Sequence, residues 1–141
     1  MTSFFSGSPF TVITSQDACG CGLLAGQFRA NRLRDGRLPD GERSIDGWFD
    51  TKAFALPARG TLGNSGRNIL ISPGTAVVNL SLIKSVQIHE SKLIQFRGEF
   101  FNPPNHANFG LPGNNIETAA AGLIRSADPG REIQLALRFQ F

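Results

Sequence analysis

The chain has 141 residues, which fits one domain, and its hydrophobic fraction of 40% and charged fraction of 18% lie below soluble globular averages. The net charge is +3, but the 14 Lys and Arg residues are spread along the chain, which argues against a nucleic-acid partner. No apolar run reaches the ~18 residues of a membrane helix, and the first residues lack the regions of a signal peptide. We therefore expect either a cytosolic protein or a polypeptide that begins before Met1.

The first predicted strand covers residues 3–14, which are rich in Phe, Thr, Val and Ile. The segment alternates poorly, and Pro9 interrupts it. Residues 15–75 follow, and their many Gly, Asn, Asp and Pro residues predict a long connection without regular structure.

Three later segments, 76–88, 92–101 and 131–141, alternate apolar and polar residues with a period of two. This period is typical of strands with one apolar face, and none of the three has a helical period. Residues 89–91 predict a tight turn between the first two, whereas the long connection 102–130 precedes the last.

The alternation predicts two different faces for the sheet. If the sheet is part of a membrane barrel, the apolar face contacts lipid and the polar face contacts the lumen. Lys84 is the one charge on the apolar face, and we expect it near an interface where its ammonium reaches water. The predicted lumen-facing residues are Arg97, Glu99 and Arg138. The predicted lipid-facing residues are Val78, Leu80, Leu82, Ile94, Phe96, Phe100, Ile133, Leu135, Leu137 and Phe139.

Two features favour a transmembrane barrel over a one-sided antiparallel sheet in water, which alternates equally well. The connections alternate between short and long, as the periplasmic turns and outer loops of such barrels do. The chain also ends on Phe141, and a last strand that ends on an aromatic residue is the assembly signature of outer-membrane proteins. The predicted fold is all-β: an antiparallel transmembrane β-barrel fragment of about four C-terminal strands with long extracellular loops.

Several short blocks together resemble a known family. They are RSIDGWFDTKAF (43–54), GNSGRNIL (63–70), VNLSLIKS (78–85), IQFRGEFFNPPNHANFG (94–110) and IRSADPGREIQLALRFQF (124–141). In order and spacing, they resemble the C-terminal part of TonB-dependent receptor-like proteins of the Oar type. These are outer-membrane β-barrels with a carboxypeptidase regulatory-like domain, of acidobacterial type.

The resemblance implies a location in the cell outer membrane and a role in ligand uptake or surface binding by the intact protein. It implies outer-membrane lipid, a plug domain, TonB and the barrel-assembly machinery as partners. Four strands cannot close a barrel, so we expect a C-terminal fragment that is inactive alone. A small soluble antiparallel β-domain that acts as a binding module is the alternative. A barrel shared between several chains, as in trimeric autotransporters, is a third alternative. Such proteins have a coiled-coil stalk, but the sequence has no heptad pattern.

No set of residues predicts catalysis, a cofactor or a metal, and we do not expect an enzyme. The two cysteines, Cys19 and Cys21, are separated by one residue, which is too few for a comfortable disulfide loop. His106 lies among Asn and Pro residues that predict turns rather than a ligand site. Trp48 beside Asp46 offers a stacking surface, but packing within its own loop is the simpler interpretation. The glycines of GTLGNSGRN (60–68) do not form a phosphate-binding loop.

Overall fold

The structure, a computed structural model, describes residues 1–22, 28–90 and 92–141. All of its regular elements are strands except one short 3₁₀ turn, Thr51–Ala53. The strands are β1 (Thr2–Phe5), β2 (Pro9–Phe10), β3 (Asn31–Arg32), β4 (Phe54–Ala55), β5 (Leu70–Ile71), β6 (Thr75–His89), β7 (Lys92–Phe101) and β8 (Glu132–Gln140). Every pair of these strands is antiparallel, so the all-β prediction is confirmed. Within the described residues, no helix is long and apolar enough to cross a membrane.

The chain divides into two compact units. The first, which we call the strand sheet, consists of Met1–Phe5, Thr75–Asn108 and Asp128–Phe141. Its strands lie in the order β1-β6-β7-β8. The three long strands extend over segments where apolar and polar residues alternate, and β-branched and aromatic residues fit their pleated surface.

Both long connections leave the strand sheet at the same end. Phe5 pairs with Thr75, and Phe101 pairs with Glu132, so the connections 6–74 and 102–131 leave from that end. The short link between β6 and β7 lies at the other end, where a register shift occurs after Gln87. The turn is predicted at residues 89–91, but in the structure β6 continues through His89. Ser91, the last residue of the predicted turn, lies outside the described residues.

The second unit, which we call the loop body, consists of Ser6–Gly74 and Phe109–Ala127. Its core contains Phe10, Val12, Ala30, Phe49, Ala53, Phe54 and Leu70, and Trp48, Ile69 and Ile116 pack against it. The Phe49 ring centroid lies 5.8 Å from that of Phe10 and 5.9 Å from that of Phe54. The segments predicted as long connections therefore enclose a small apolar core together with Phe10 and Val12 of the predicted first strand.

The predicted first strand, 3–14, does not form one strand. Residues Thr2–Phe5 join the strand sheet, whereas Pro9–Phe10 pair with Leu70–Ile71 in the loop body. Proline has no backbone N–H to donate to a ladder, which confines it to strand edges and ends. At Gly7 the chain passes so close to Ser72 that a β-carbon would lie 1.7 Å from the Ser72 carbonyl oxygen. The sequence predicted an extended segment interrupted at Pro9, but not that its two parts pair with different strands.

Candidate functional site

The register of the strand sheet places all the predicted lipid-facing residues on one face. Residues directly opposite each other in antiparallel strands point to the same side. One row joins Leu80, Phe100 and Ile133, and another joins Val86, Ile94 and Phe139. Alternation along β6, β7 and β8 then assigns the other members, which are Val78, Leu82, Phe96, Leu135 and Leu137, to the same face. We call this surface the apolar face.

The apolar face is largely uncovered. Leu137 is 72% exposed, Leu135 66%, and Leu80 and Leu82 58% each. An uncovered row of Leu, Ile and Phe residues is unusual on a soluble monomer and is typical of a surface that meets a partner or a membrane. Contact of these residues with lipid stays a prediction.

The opposite side of the strand sheet, which we call the polar face, contains Arg97, Glu99 and Arg138 together. The Arg97 Nη1 atom lies 3.9 Å from the Glu99 Oε1 atom, and both side chains are partly exposed. Arg138 lies opposite Gln95, whose amide nitrogen donates to the Ser85 hydroxyl at 3.1 Å. Among the described residues Arg138 forms no salt bridge, whereas Arg97 and Glu99 form one with each other. Their contact with a lumen stays a prediction.

Several residues depart from the simple division of faces. Leu93 and Phe101 lie on the polar face, where Leu93 is opposite Gln87 and Phe101 is opposite Asn79. Ile83 lies on the polar face, opposite Arg97, and is 50% exposed. Lys84 lies on the apolar face, opposite Phe96 and five residues before the end of β6 at His89. The position of Lys84 near a membrane interface stays a prediction.

Phe141 follows the last residue of β8 and is 89% exposed. Its ring centroid lies 5.9 Å from that of Phe139, so the two aromatic side chains form one exposed group at the end of the strand. Paired aromatic rings gain energy beyond their buried area. The role of Phe141 as an assembly signature stays a prediction.

The structure places Trp48 in the packing of the loop body. Its indole nitrogen donates to the Ile71 carbonyl at 2.7 Å, and the Arg43 guanidinium lies 5.8 Å from the ring centroid. A cavity of about 120 Å³ lies beside it, lined in part by Arg37 and Leu70. This volume is below the roughly 300 Å³ at which ligand pockets begin. The geometry therefore favours packing of Trp48 within the loop body over stacking against a ligand. Asp46, two residues before Trp48, is exposed.

The segment around His106 forms a turn. The His106 N–H donates to the Asn102 side-chain oxygen at 3.0 Å, and the Asn102 amide donates back to the His106 carbonyl at 2.9 Å. Asn102 and Asn105 have positive φ angles of 49° and 55°. Asn tolerates this left-handed conformation better than most residues, which is why the segment is rich in Asn.

The expectation that Cys19 and Cys21 are too close for a disulfide was wrong. The two sulfur atoms are bonded, and the Cα atoms lie 5.3 Å apart, inside the usual range. Gly20, between them, has a φ angle of 67°, a left-handed conformation that glycine adopts without steric cost. The glycine between the two cysteines is the feature of the sequence that could have indicated this turn.

Gly63 allows two backbone segments of the loop body to pack closely against each other. A β-carbon there would lie 1.8 Å from the Arg29 carbonyl oxygen and 2.7 Å from that of Ala30. The Ser65 N–H donates to the same Ala30 carbonyl at 3.0 Å, so the two segments lie backbone to backbone.

We expect the Gly63→Ala substitution to destabilise the loop body by roughly 1–3 kcal/mol, the usual cost of overpacking. Amide hydrogen exchange of the full chain in detergent micelles would show this as faster exchange at Ser65. Gly41→Ala is the matched control, because a β-carbon at that position would meet no neighbouring atom within 4 Å. Equal exchange in both variants would contradict the close backbone approach at Gly63.

The family model described as an outer membrane beta barrel domain matches residues 1–134. No curated protein and no solved structure gives a significant match.

Proposed function

The chain belongs to the outer membrane beta barrel domain family, whose members lie in the outer membrane. We propose that its strand sheet is part of the wall of a barrel of the TonB-dependent receptor type. The intact protein would take up a ligand or bind surfaces. The observation that carries the proposal is the division of the strand sheet into an exposed apolar face and a polar face. A barrel wall needs this division because lipid lies on one side of it and an aqueous or plugged lumen on the other.

The free edges of the strand sheet support a barrel larger than these four strands. In the order β1-β6-β7-β8, the first and last strands each pair on one side only within the part of the chain that the structure describes. Backbone N–H and C=O groups at an unpaired edge cannot remain unsatisfied in hydrocarbon, and the smallest single-chain barrels have about eight strands. Further strands must therefore pair with β1 and β8 in the membrane, as they would in a barrel of the 22-stranded class.

The arrangement of the connections supports the orientation of the barrel wall. Both long connections leave from one end of the strand sheet, and the short link leaves from the other. Outer-membrane barrels place long loops outside and short turns on the periplasmic side. In this orientation β8 descends towards the periplasm, and Phe141 lies at that rim. Resemblance to receptors of the Oar type supports the TonB-dependent class.

Recovery of TonB tests the proposed receptor class. Antibodies against the full chain would be used on native outer membranes after cross-linking in living cells. We expect a heat-modifiable barrel much larger than the 15.2 kDa of this chain, together with cross-linked TonB. A porin treated in the same way is the control, since it functions without TonB. Recovery of a large barrel with no more cross-linked TonB than the porin control would contradict the receptor class. It would leave the outer-membrane location intact.

A small soluble binding module is the rival proposal. The loop body has a buried core, which a soluble module also requires. The exposed Leu and Phe residues of the strand sheet speak against it, because water would contact a large contiguous apolar surface. A 15.2 kDa species that is monodisperse without detergent and melts cooperatively would favour the rival.

A further inference from the structure

The residues from Asp17 to Gly22 form a turn organised around one carboxylate, which we call the cysteine turn. The Cys21 N–H donates to the Asp17 Oδ1 atom at 3.1 Å, and the Gly22 N–H donates to Oδ2 at 2.9 Å. The Gly20 N–H donates to the Asp17 backbone carbonyl at 3.3 Å. Gly20 and Gly22 both adopt left-handed conformations, with φ angles of 67° and 68°. The Asp17 carboxylate is thereby held against the disulfide.

Three groups that can bind a metal converge in the cysteine turn. One ligand atom each from Asp17, Cys19 and Cys21 lies within 4.8 Å of the other two. The Cys19 sulfur lies 3.1 Å from the Asp17 Oδ1 atom. A disulfide sulfur has no proton to donate, so the contact between the Cys19 sulfur and the Asp17 Oδ1 atom stabilises the oxidised turn little. A cation held between sulfur and carboxylate would make the same approach favourable.

A purely structural role explains the disulfide poorly. In the chain-entropy account, a disulfide stabilises a fold by closing a loop, and the effect grows with the length of that loop. Here the bridged residues are only two apart in sequence. Cys21 and Asp17 are exposed, and neither belongs to the core of the loop body. The chemistry of the sulfur atoms is therefore the more informative property.

We propose that reduction converts the cysteine turn into a binding site for a thiophilic divalent cation of the Zn²⁺ class. Two thiolates and the Asp17 carboxylate supply three ligands, and water supplies the fourth position of a tetrahedral site. Thiolates select Zn²⁺ over Mg²⁺ and Ca²⁺, which prefer oxygen ligands. The proposal goes beyond barrel function and does not depend on the TonB-dependent class.

The redox step requires a thiol reductant and balances as a thiol–disulfide exchange. A thiolate of the reductant attacks the sulfur of the exposed Cys21 and breaks the Cys19–Cys21 bond through a mixed disulfide. A second reductant thiol releases this intermediate as a new disulfide, and the chain gains two electrons and two protons. The cation then displaces both thiol protons when it binds, because the metal ligand is the thiolate. The oxidised turn lacks these thiolates and is expected not to bind.

Cobalt binding to the full chain in detergent micelles tests the site. The chain is reduced with dithiothreitol, separated from the reductant without oxygen, and titrated with Co²⁺. We expect a sulfur-to-cobalt charge-transfer band that saturates at one equivalent and disappears on addition of Zn²⁺. The oxidised chain should give no band. Absence of the band after reduction, or an equal band before reduction, would overturn the proposal.

Substitutions separate this site from casual binding by two thiols. Asp17→Asn retains an oxygen to accept from the Cys21 N–H but removes the charge of the proposed ligand. We expect the affinity for Co²⁺ to fall at least about tenfold, because loss of even an outer-shell partner of a metal ligand costs about 10–100-fold. Cys19→Ser should abolish the band. Asp46→Asn is the matched control, because this exposed carboxylate lies outside the cysteine turn. Equal affinity of the reduced native chain and Asp17→Asn would overturn the role of the carboxylate.

Discussion

The Leu135→Arg substitution is expected to lower assembly in the outer membrane sharply, whereas Gln134→Arg is expected to leave it near the native level. Leu135 is 66% exposed on the apolar face, in one row with Gly98 and Leu82. An arginine that faces lipid near the bilayer midplane costs about 2–4 kcal/mol. Gln134 lies opposite Glu99 on the polar face, where an arginine adds a cross-strand pair of opposite charges.

This comparison is made in cells that produce the protein, by measuring the fraction retained in outer membranes after a urea wash. The two substitutions add the same side chain at neighbouring positions of β8, so they differ in the face that receives the charge. Equal retention of both variants would refute contact of the apolar face with lipid. Greater solubility of Leu135→Arg without loss of fold would support the soluble module.

The Phe49→Ala substitution is expected to destabilise the loop body by about 3–5 kcal/mol, the usual cost of truncating a buried phenylalanine. Phe49 is 4% exposed and lies between the rings of Phe10 and Phe54. Removal of its ring leaves a cavity and ends both aromatic contacts. Because typical domains are stable by only about 5–15 kcal/mol, this loss is a large share of the total.

Limited proteolysis of the full chain in micelles measures this effect through the cleavage rate within the loop body. Phe109→Ala is the matched control, since the same truncation occurs there at a side chain that is 38% exposed. We expect rapid cleavage of Phe49→Ala and near-native resistance of Phe109→Ala. If both variants resist equally, the aromatic cluster does not hold the loop body together.

The long strands could be predicted well because their signal is local. The predicted segment 92–101 coincides with β7, and the segments 76–88 and 131–141 each differ from their strands by one residue at either end. A period of two is imposed by the pleat itself, so ten residues of alternation suffice to indicate it. Residues 3–14 lack this alternation, and there the sequence indicated an interruption at Pro9 but not that the two parts join different sheets.

The loop body and the cysteine turn could not be predicted in the same way. The core joins Phe10, Phe49 and Leu70, which are far apart in sequence and follow no period. The cysteine turn depends on the left-handed backbone at Gly20 and on the Asp17 carboxylate, and the separation of the cysteines alone predicted the opposite result. Such features arise from contacts and backbone conformations that composition does not specify.

The sequence by itself determined which side chains share a face, because neighbouring residues of a strand must point to opposite sides. It thereby placed the exposed leucines apart from Arg97 and Glu99 before any strand was paired. Only the tertiary structure decided which strands pair and in what register, and that the long connections enclose a core. The physical reason is that backbone hydrogen bonds between strands, and burial of distant aromatic side chains, depend on how the whole chain closes its loops.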